Sequence, residues 1–193
     1  MKILREVGIT ILIAVAVFAL LQLTVQSYTV VMSSMEPNFQ EGECIMVNKV
    51  SYHSSGPQRG DVIVFHPPVP SAYPFIKRVI GLPGETVEIR DGQVFINGIP
   101  INELYLFPEP PQNNKDYGPQ ELSNDEYLVL GDNRNGSNDS RSWGPIKRDD
   151  ILGKAWFIYW PPSKLGVVKH YSYPELLGTE GQEMVQSFGV QLE

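Results

Sequence analysis

The chain has 193 residues, with Lys+Arg 15 against Asp+Glu 22 and a formal net charge of −7, which argues against a general nucleic-acid binder because phosphate recognition asks for a basic stripe. Apolar residues at 42% allow a packed core, while 17 Gly and 16 Pro favour short strands joined by turns over a helical bundle. A single cysteine, Cys44, excludes an internal disulfide, and His53, His66 and His170 match no zinc spacing, so no metal or other cofactor is expected.

The first element is apolar. After a short terminus (1–6) carrying Lys2 and Arg5, Val7–Val25 is a run of nineteen residues without a charge. As an α-helix it would extend about 28 Å, close to the thickness of a bilayer's hydrocarbon core. A buried core helix normally has a polar face, and this one has only Thr10, Gln22 and Thr24 to offer. A cleavable secretory signal is the other reading, but the run is long for one and no convincing small-x-small site follows. The expectation is a retained transmembrane helix over 7–25. Lys2 and Arg5 precede it, and the first basic residue after it is Lys49. That asymmetry predicts a cytoplasmic N-terminus and an extracytoplasmic remainder.

Beyond the span the apolar period is two. Residues 44–50, 61–65, 75–80, 86–90 and 93–97 read as strands. Asp91-Gly92 between the last two signals a tight hairpin, and Asn97-Gly98 a second turn. Residues 102–124, rich in Pro, Asn, Gln and Glu, read as a long loop or small insertion. Strands follow at 126–130 and 151–160. The polar stretch 131–150 is either disordered or a hydrogen-bonded corner. Residues 163–193 read as a polar, peripheral tail. The fold class predicted is therefore mostly β, with antiparallel sheets over 26–162 behind one N-terminal transmembrane helix.

The common hydrolase signatures are missing: no G-x-S-x-G, H-E-x-x-H, S-x-x-K or phosphate-binding glycine loop. What stands out is Lys77, which in a strand shares a face with Phe75 and Val79. It either snorkels, with its ammonium in water, or is buried and loses its charge readily. A fall of two to three from ~10.4 costs roughly 3–4 kcal/mol, which a domain of this size can absorb. A neutral amine can take a proton from a serine hydroxyl, and Ser33-Ser34-Met35-Glu36-Pro37 follows the span directly.

Ser34-Met35-x-Pro37, Arg59–Phe65, Lys77–Glu85 and Gly131–Arg134 through Ser137, Asp139, Ser140 and Arg141 resemble, in order, the boxes of the type I signal peptidases. The resemblance covers about residues 5 to 162, including the apolar span. It implies a β-rich signal-peptidase-like catalytic domain using a Ser–Lys dyad, with Ser34 the nucleophile and Lys77 the general base. Ser137 corresponds to the serine that orients the lysine amine. Arg78 with Asp132, and Asp139 with Arg141, correspond to supporting ion pairs. The pocket for small side chains maps onto Tyr28, Val30, Met35, Phe39, Ile45, Val64 and Ile76. Two positions depart from the pattern. Asn38 stands where many members have Thr, and Met32 where some carry a serine that donates to the oxyanion; a thioether cannot donate.

The reading is a membrane serine endopeptidase that removes signal peptides from exported preproteins after small residues, at the outer face of a bacterial plasma membrane. Its expected partners are preprotein signal peptides and the lipid bilayer, with no nucleic acid. Two alternatives stand beside it. One is a catalytically idle signal-peptidase-like module that binds export partners or peptides. The other is a self-cleaving repressor-type protease, which would need a DNA-binding domain where this chain has an apolar span.

Overall fold

Alternation of apolar and polar side chains drives most of the strands in the computed structural model, which describes residues 2–106 and 115–176. Parts of two sequence expectations, 107–114 of the long loop and 177–193 of the tail, lie outside the described residues. The elements in chain order are α1 (Lys2–Thr24), β1 (Val25–Thr29), β2 (Cys44–Asn48), β3 (Val62–Phe65), β4 (Phe75–Gly81), β5 (Thr86–Arg90), β6 (Gln93–Ile96), β7 (Ile99–Pro100), β8 (Tyr117–Glu121), β9 (Glu126–Leu130), α2 (Ser140–Trp143), β10 (Ile146–Lys147), β11 (Ile151–Trp160) and β12 (Gly166–Val167). The larger sheet runs β1-β2-β11-β3-β4-β9-β10, with β12 added beside β11; the smaller runs β7-β6-β5-β8. Every pairing is antiparallel. The chain is mostly β, as its sequence predicts.

Strands buried on both faces lose the alternation. In β3, Val62 and Val64 enter the cluster with Ile45, Val47, Met35 and Phe39, whereas Ile63 and Phe65 enter another with Val79 and Val129. A third cluster lies between the sheets and joins Val87, Ile89, Val94 and Ile96 of the small sheet to Ile80, Leu128 and Leu130 of the large one. Each fully buried side chain of this size contributes about 1.5–3 kcal/mol of transfer free energy. The sheets meet at Gly81, where an added Cβ would come within 2.6 Å of Val87 and 2.7 Å of Leu122.

The β5–β6 hairpin turns at Asp91-Gly92, both at positive φ (51° and 78°), with Arg90 opposite Gln93. Asn97-Gly98 repeats the device before β7. Of the five strands that escape the sequence pattern, β7, β10 and β12 are only two residues long, and the other two, β1 and β8, are sheet edges. β1 continues straight from the apolar helix, and β8 lies within the stretch read as a loop, its Pro119 tolerated because an edge strand has a free side. The polar stretch 131–150 is an ordered corner. Its short helix α2 is capped by Asp139, which accepts the Arg141 amide hydrogen.

Helix α1 is long and apolar enough to cross a membrane, and its span Arg5–Thr24 is not buried against the other described residues. It is longer than the run 7–25 by its first turn and ends one residue sooner, as the Thr24 carbonyl accepts from Lys49 N–H beside β2. Residues 166–176, read from the sequence as tail, are part of the domain: β12 pairs with β11 and Tyr173 is buried in the inter-sheet cluster.

Candidate active site

Three segments converge at one end of the large sheet: the turn after β1, strand β4, and the corner between β9 and α2. The turn is held from below by Met35 and Phe39, both buried, and closed by Phe39 N–H donating to the Met35 carbonyl at 2.9 Å. Burying these two side chains fixes Ser34 between them and the β9 end. The corner then grips the turn's backbone, with Asn133 N–H donating to Ser34 O at 3.1 Å and Asn133 Nδ2 to Ser33 O at 3.1 Å. Gly131 is indispensable to that approach, since a Cβ there would stand 2.4 Å from Ser34 O and 2.2 Å from Ser137 Oγ.

Lys77 Nζ lies 2.7 Å from Ser34 Oγ and donates to the Ile76 carbonyl at 2.9 Å. The lysine is 2% exposed and the serine 8%. Its period-two neighbour Phe75 presents its ring 5.4 Å from the amine, so this lysine is buried and does not snorkel. Burial pushes its pKa down to about 8 from 10.5, against the smaller upward pull of Asp139 and Asp132. An amine near neutrality and within hydrogen-bond reach of a hydroxyl can serve as its base.

The buried ion pairs expected from the sequence are both present. Arg78 clasps Asp132 through two hydrogen bonds, Nε–Oδ1 at 2.8 Å and Nη2–Oδ2 at 2.7 Å, and donates a third to Gly60 O at 2.9 Å. Burial works against the Arg78 charge, but Asp132 outweighs it and raises the pKa further. Arg141 meets Asp139 at 2.9 and 2.8 Å. For Asp139 burial favours the neutral acid, yet Arg141 and the Gly131 N–H together hold the carboxyl below its ordinary value. These pairs hold their segments in register and do not touch the amine or the hydroxyl.

A cleft of about 440 Å³ opens beside Ser34 and Lys77. Tyr28, Val30, Ile45, Val64 and Ile76 line it. Met35 and Phe39 do not; they pack behind it in the core, because the turn needs them as its anchors. Val31, Met32 and Tyr73 form an exposed apolar rim. Met32 has φ 82°, a left-handed conformation uncommon for a residue with a Cβ. Ser34 N–H donates no hydrogen bond among the described residues.

Ser137 differs from its implied role. Its hydroxyl is buried beside Gly131, next to Asp139, and makes no hydrogen bond to Lys77; the lysine donates to the Ile76 carbonyl. Other contributors carry no local signal. Asn38 Nδ2 donates to Asp132 Oδ2 at 2.9 Å and to Tyr105 O at 2.8 Å, so the departure from Thr supplies two bonds to the site's frame. A third buried ion pair, Arg134 with Glu103, ties the corner to the segment after β7, and Arg134 Nε donates to Gly131 O at 3.1 Å. Glu103 sits in a stretch whose composition says only loop. Among the described residues, no three His, Cys, Asp or Glu side chains are gathered where they would hold a metal ion.

Residues 4–160 match the family model described as signal peptidase, peptidase S26. The chain is 40% identical over 170 residues to a signal peptidase I of Leptolyngbya laminosa, covering 84% of this chain and 81% of that one. It is 36% identical over 190 residues to signal peptidase IB of Staphylococcus aureus, covering 90% and 97%. A crystal structure of a signal peptidase I from Enterococcus faecalis V583, at 37% identity, superposes on 52% of this chain and 97% of its own with a TM-score of 0.46.

Proposed function

The chain belongs to the signal peptidase family, peptidase S26, and from that membership we propose that it is a membrane-anchored enzyme that frees exported preproteins of their signal peptides through a Ser34–Lys77 dyad. It is a serine endopeptidase of that family. The observation that carries the dyad is the 2.7 Å approach of a buried, weakly basic lysine amine to Ser34 Oγ at the head of an apolar cleft.

The amine takes the hydroxyl proton as Ser34 Oγ attacks the carbonyl of a small residue seated among Val30, Ile45, Val64 and Ile76. The resulting oxyanion meets the unengaged Ser34 N–H; Met32 offers no second donor. The lysine ammonium returns its proton to the departing amine of the mature protein, leaving an acyl-enzyme. Water then gives a proton to the same amine and attacks the ester; the intermediate collapses, the ammonium returns the proton to Ser34 Oγ, and the signal peptide leaves with a free C-terminal carboxyl. Small residues are favoured because the cleft floor is made of branched aliphatic side chains packed on the core. Helix α1 supplies the anchor, with its Lys2 and Arg5 end in the cytoplasm and the catalytic domain at the outer face of the plasma membrane.

The test is cleavage of a preprotein by the detergent-solubilised chain beside Ser34→Ala and Lys77→Ala. Both variants are expected to lose at least ~10³ in turnover while staying folded. The parent's rate should rise with pH through about 8 and then level, as the lysine deprotonates. A fully active Lys77→Ala overturns the dyad, and a parent that binds but never cuts favours the idle module.

A further inference from the structure

Residues 166–176 lie beyond the family-matched 4–160, yet they fold back across the site's supporting ion pair. Strand β12 leads them off β11, and Val168 N–H donates to Trp156 O at 2.9 Å. At the far end Asn102 N–H donates to Glu175 Oε1 at 2.5 Å. Between these ties the Tyr171 ring lies 5.3 Å from the Arg78 guanidinium and 5.2 Å from the Tyr105 ring, which itself covers Arg78 at 4.2 Å. The fit is close. A Cβ on Gly60, whose carbonyl accepts from Arg78, would stand 2.9 Å from Tyr171 O and 3.3 Å from the Tyr173 ring.

We infer that this segment is a strap that positions the active site, and that Tyr171 is its working residue. An unbroken series of contacts runs inward from it. Tyr105 covers the guanidinium, Tyr171 packs edge-on against Tyr105 beside the same guanidinium, Arg78 clasps Asp132, and the neighbouring Asn133 N–H holds the Ser34 carbonyl. Removing the Tyr171 ring takes the support from Tyr105 and lets the guanidinium tilt, and the tilt reaches the serine through the buried Arg78–Asp132 pair and the Asn133 N–H. Misplacement of a nucleophile by about 1 Å is enough to cost ~10² in rate.

For its activity arm the inference rests on the proposed peptidase reaction; its exchange arm does not. The experiment compares the full chain in detergent with Tyr171→Ala, Tyr171→Leu, which keeps apolar bulk without a π face, and Tyr171→Phe, which keeps the ring. On a preprotein, Ala and Leu are expected to lower kcat at least ~10-fold with KM changed less than ~2-fold, and Phe to recover it. Independently of activity, amide exchange at Asn133 should quicken at least ~10-fold in Ala and Leu, with β3 and β4 amides unchanged and Phe as the parent. Equal exchange at Asn133 in parent and Leu variant, or a Phe variant as impaired as Leu, overturns the strap. A parent that never cleaves defeats the peptidase reading alone, and exchange still decides the strap.

Discussion

Burying the Lys77 amine beside Ser34 Oγ is unfavourable for the fold, and the pKa says in which direction and over which pH range. The group titrates near 10.5 when unfolded and at about 8 when folded. Between those values the unfolded chain holds a proton the folded chain has released, so stability rises with pH across that window. Below about pH 8 the whole penalty is present, on the order of 3 kcal/mol. Lys77→Met removes it and gives up two hydrogen bonds worth ~1 kcal/mol each. At pH 7 the variant is therefore expected to be inactive and about 1–2 kcal/mol more stable in urea unfolding, an advantage that shrinks between pH 8 and 10. A variant less stable than the parent at pH 7 would contradict a buried, destabilising charge. Lys77 was conspicuous in the sequence because a cation on the Phe75–Val79 face breaks the alternation. Its partner Ser34, 43 residues away, was named by the order of the motifs and by no local pattern.

At the scale of elements, the site depends on how closely the corner 131–139 can approach the turn after β1. Gly131 permits backbone-to-backbone contact where any Cβ would overlap Ser34 O. Gly131→Ala is expected to push the turn outward and cost at least ~10² in turnover, with the sheets intact by circular dichroism. Near-parental turnover would show that the corner does not set the serine's position. The seven strands read from period two or from apolar runs all exist, because each buries a face or two against the core. β1 and β8 were illegible for the same reason inverted: edge strands with mostly exposed side chains carry no alternation to read. The corner's order was open in the sequence, because Asp, Asn, Arg and Ser suit both a solvated loop and a closed network. Its buried pairs, Arg78–Asp132, Arg141–Asp139 and Arg134–Glu103, decide for the network.

For the molecule as a whole, the distance from helix to serine matters. Ser34 lies only nine positions after Val25, so the proposed anchor ties the cleft to within about 32 Å of the span's end. A chain beginning at residue 25 is expected to keep its rate on a soluble peptide within ~3-fold. On a preprotein embedded in vesicles its kcat/KM should fall at least ~10², because the anchor supplies effective concentration at the membrane. Equal losses on both substrates would mean that the helix acts through the fold. The apolar span, the antiparallel β class, the hairpin turns and the family boxes were all present in the chain itself, because each is a local pattern of period, composition or spacing. Which residues face the cleft and which anchor the turn, the place of Ser137 beside Gly131, the partners of Asn38 and Glu103, and the return of 166–176 over Arg78 emerged only on folding. They are contacts between segments far apart in the chain, set by packing and the satisfaction of buried charge, and no local run of residues encodes them.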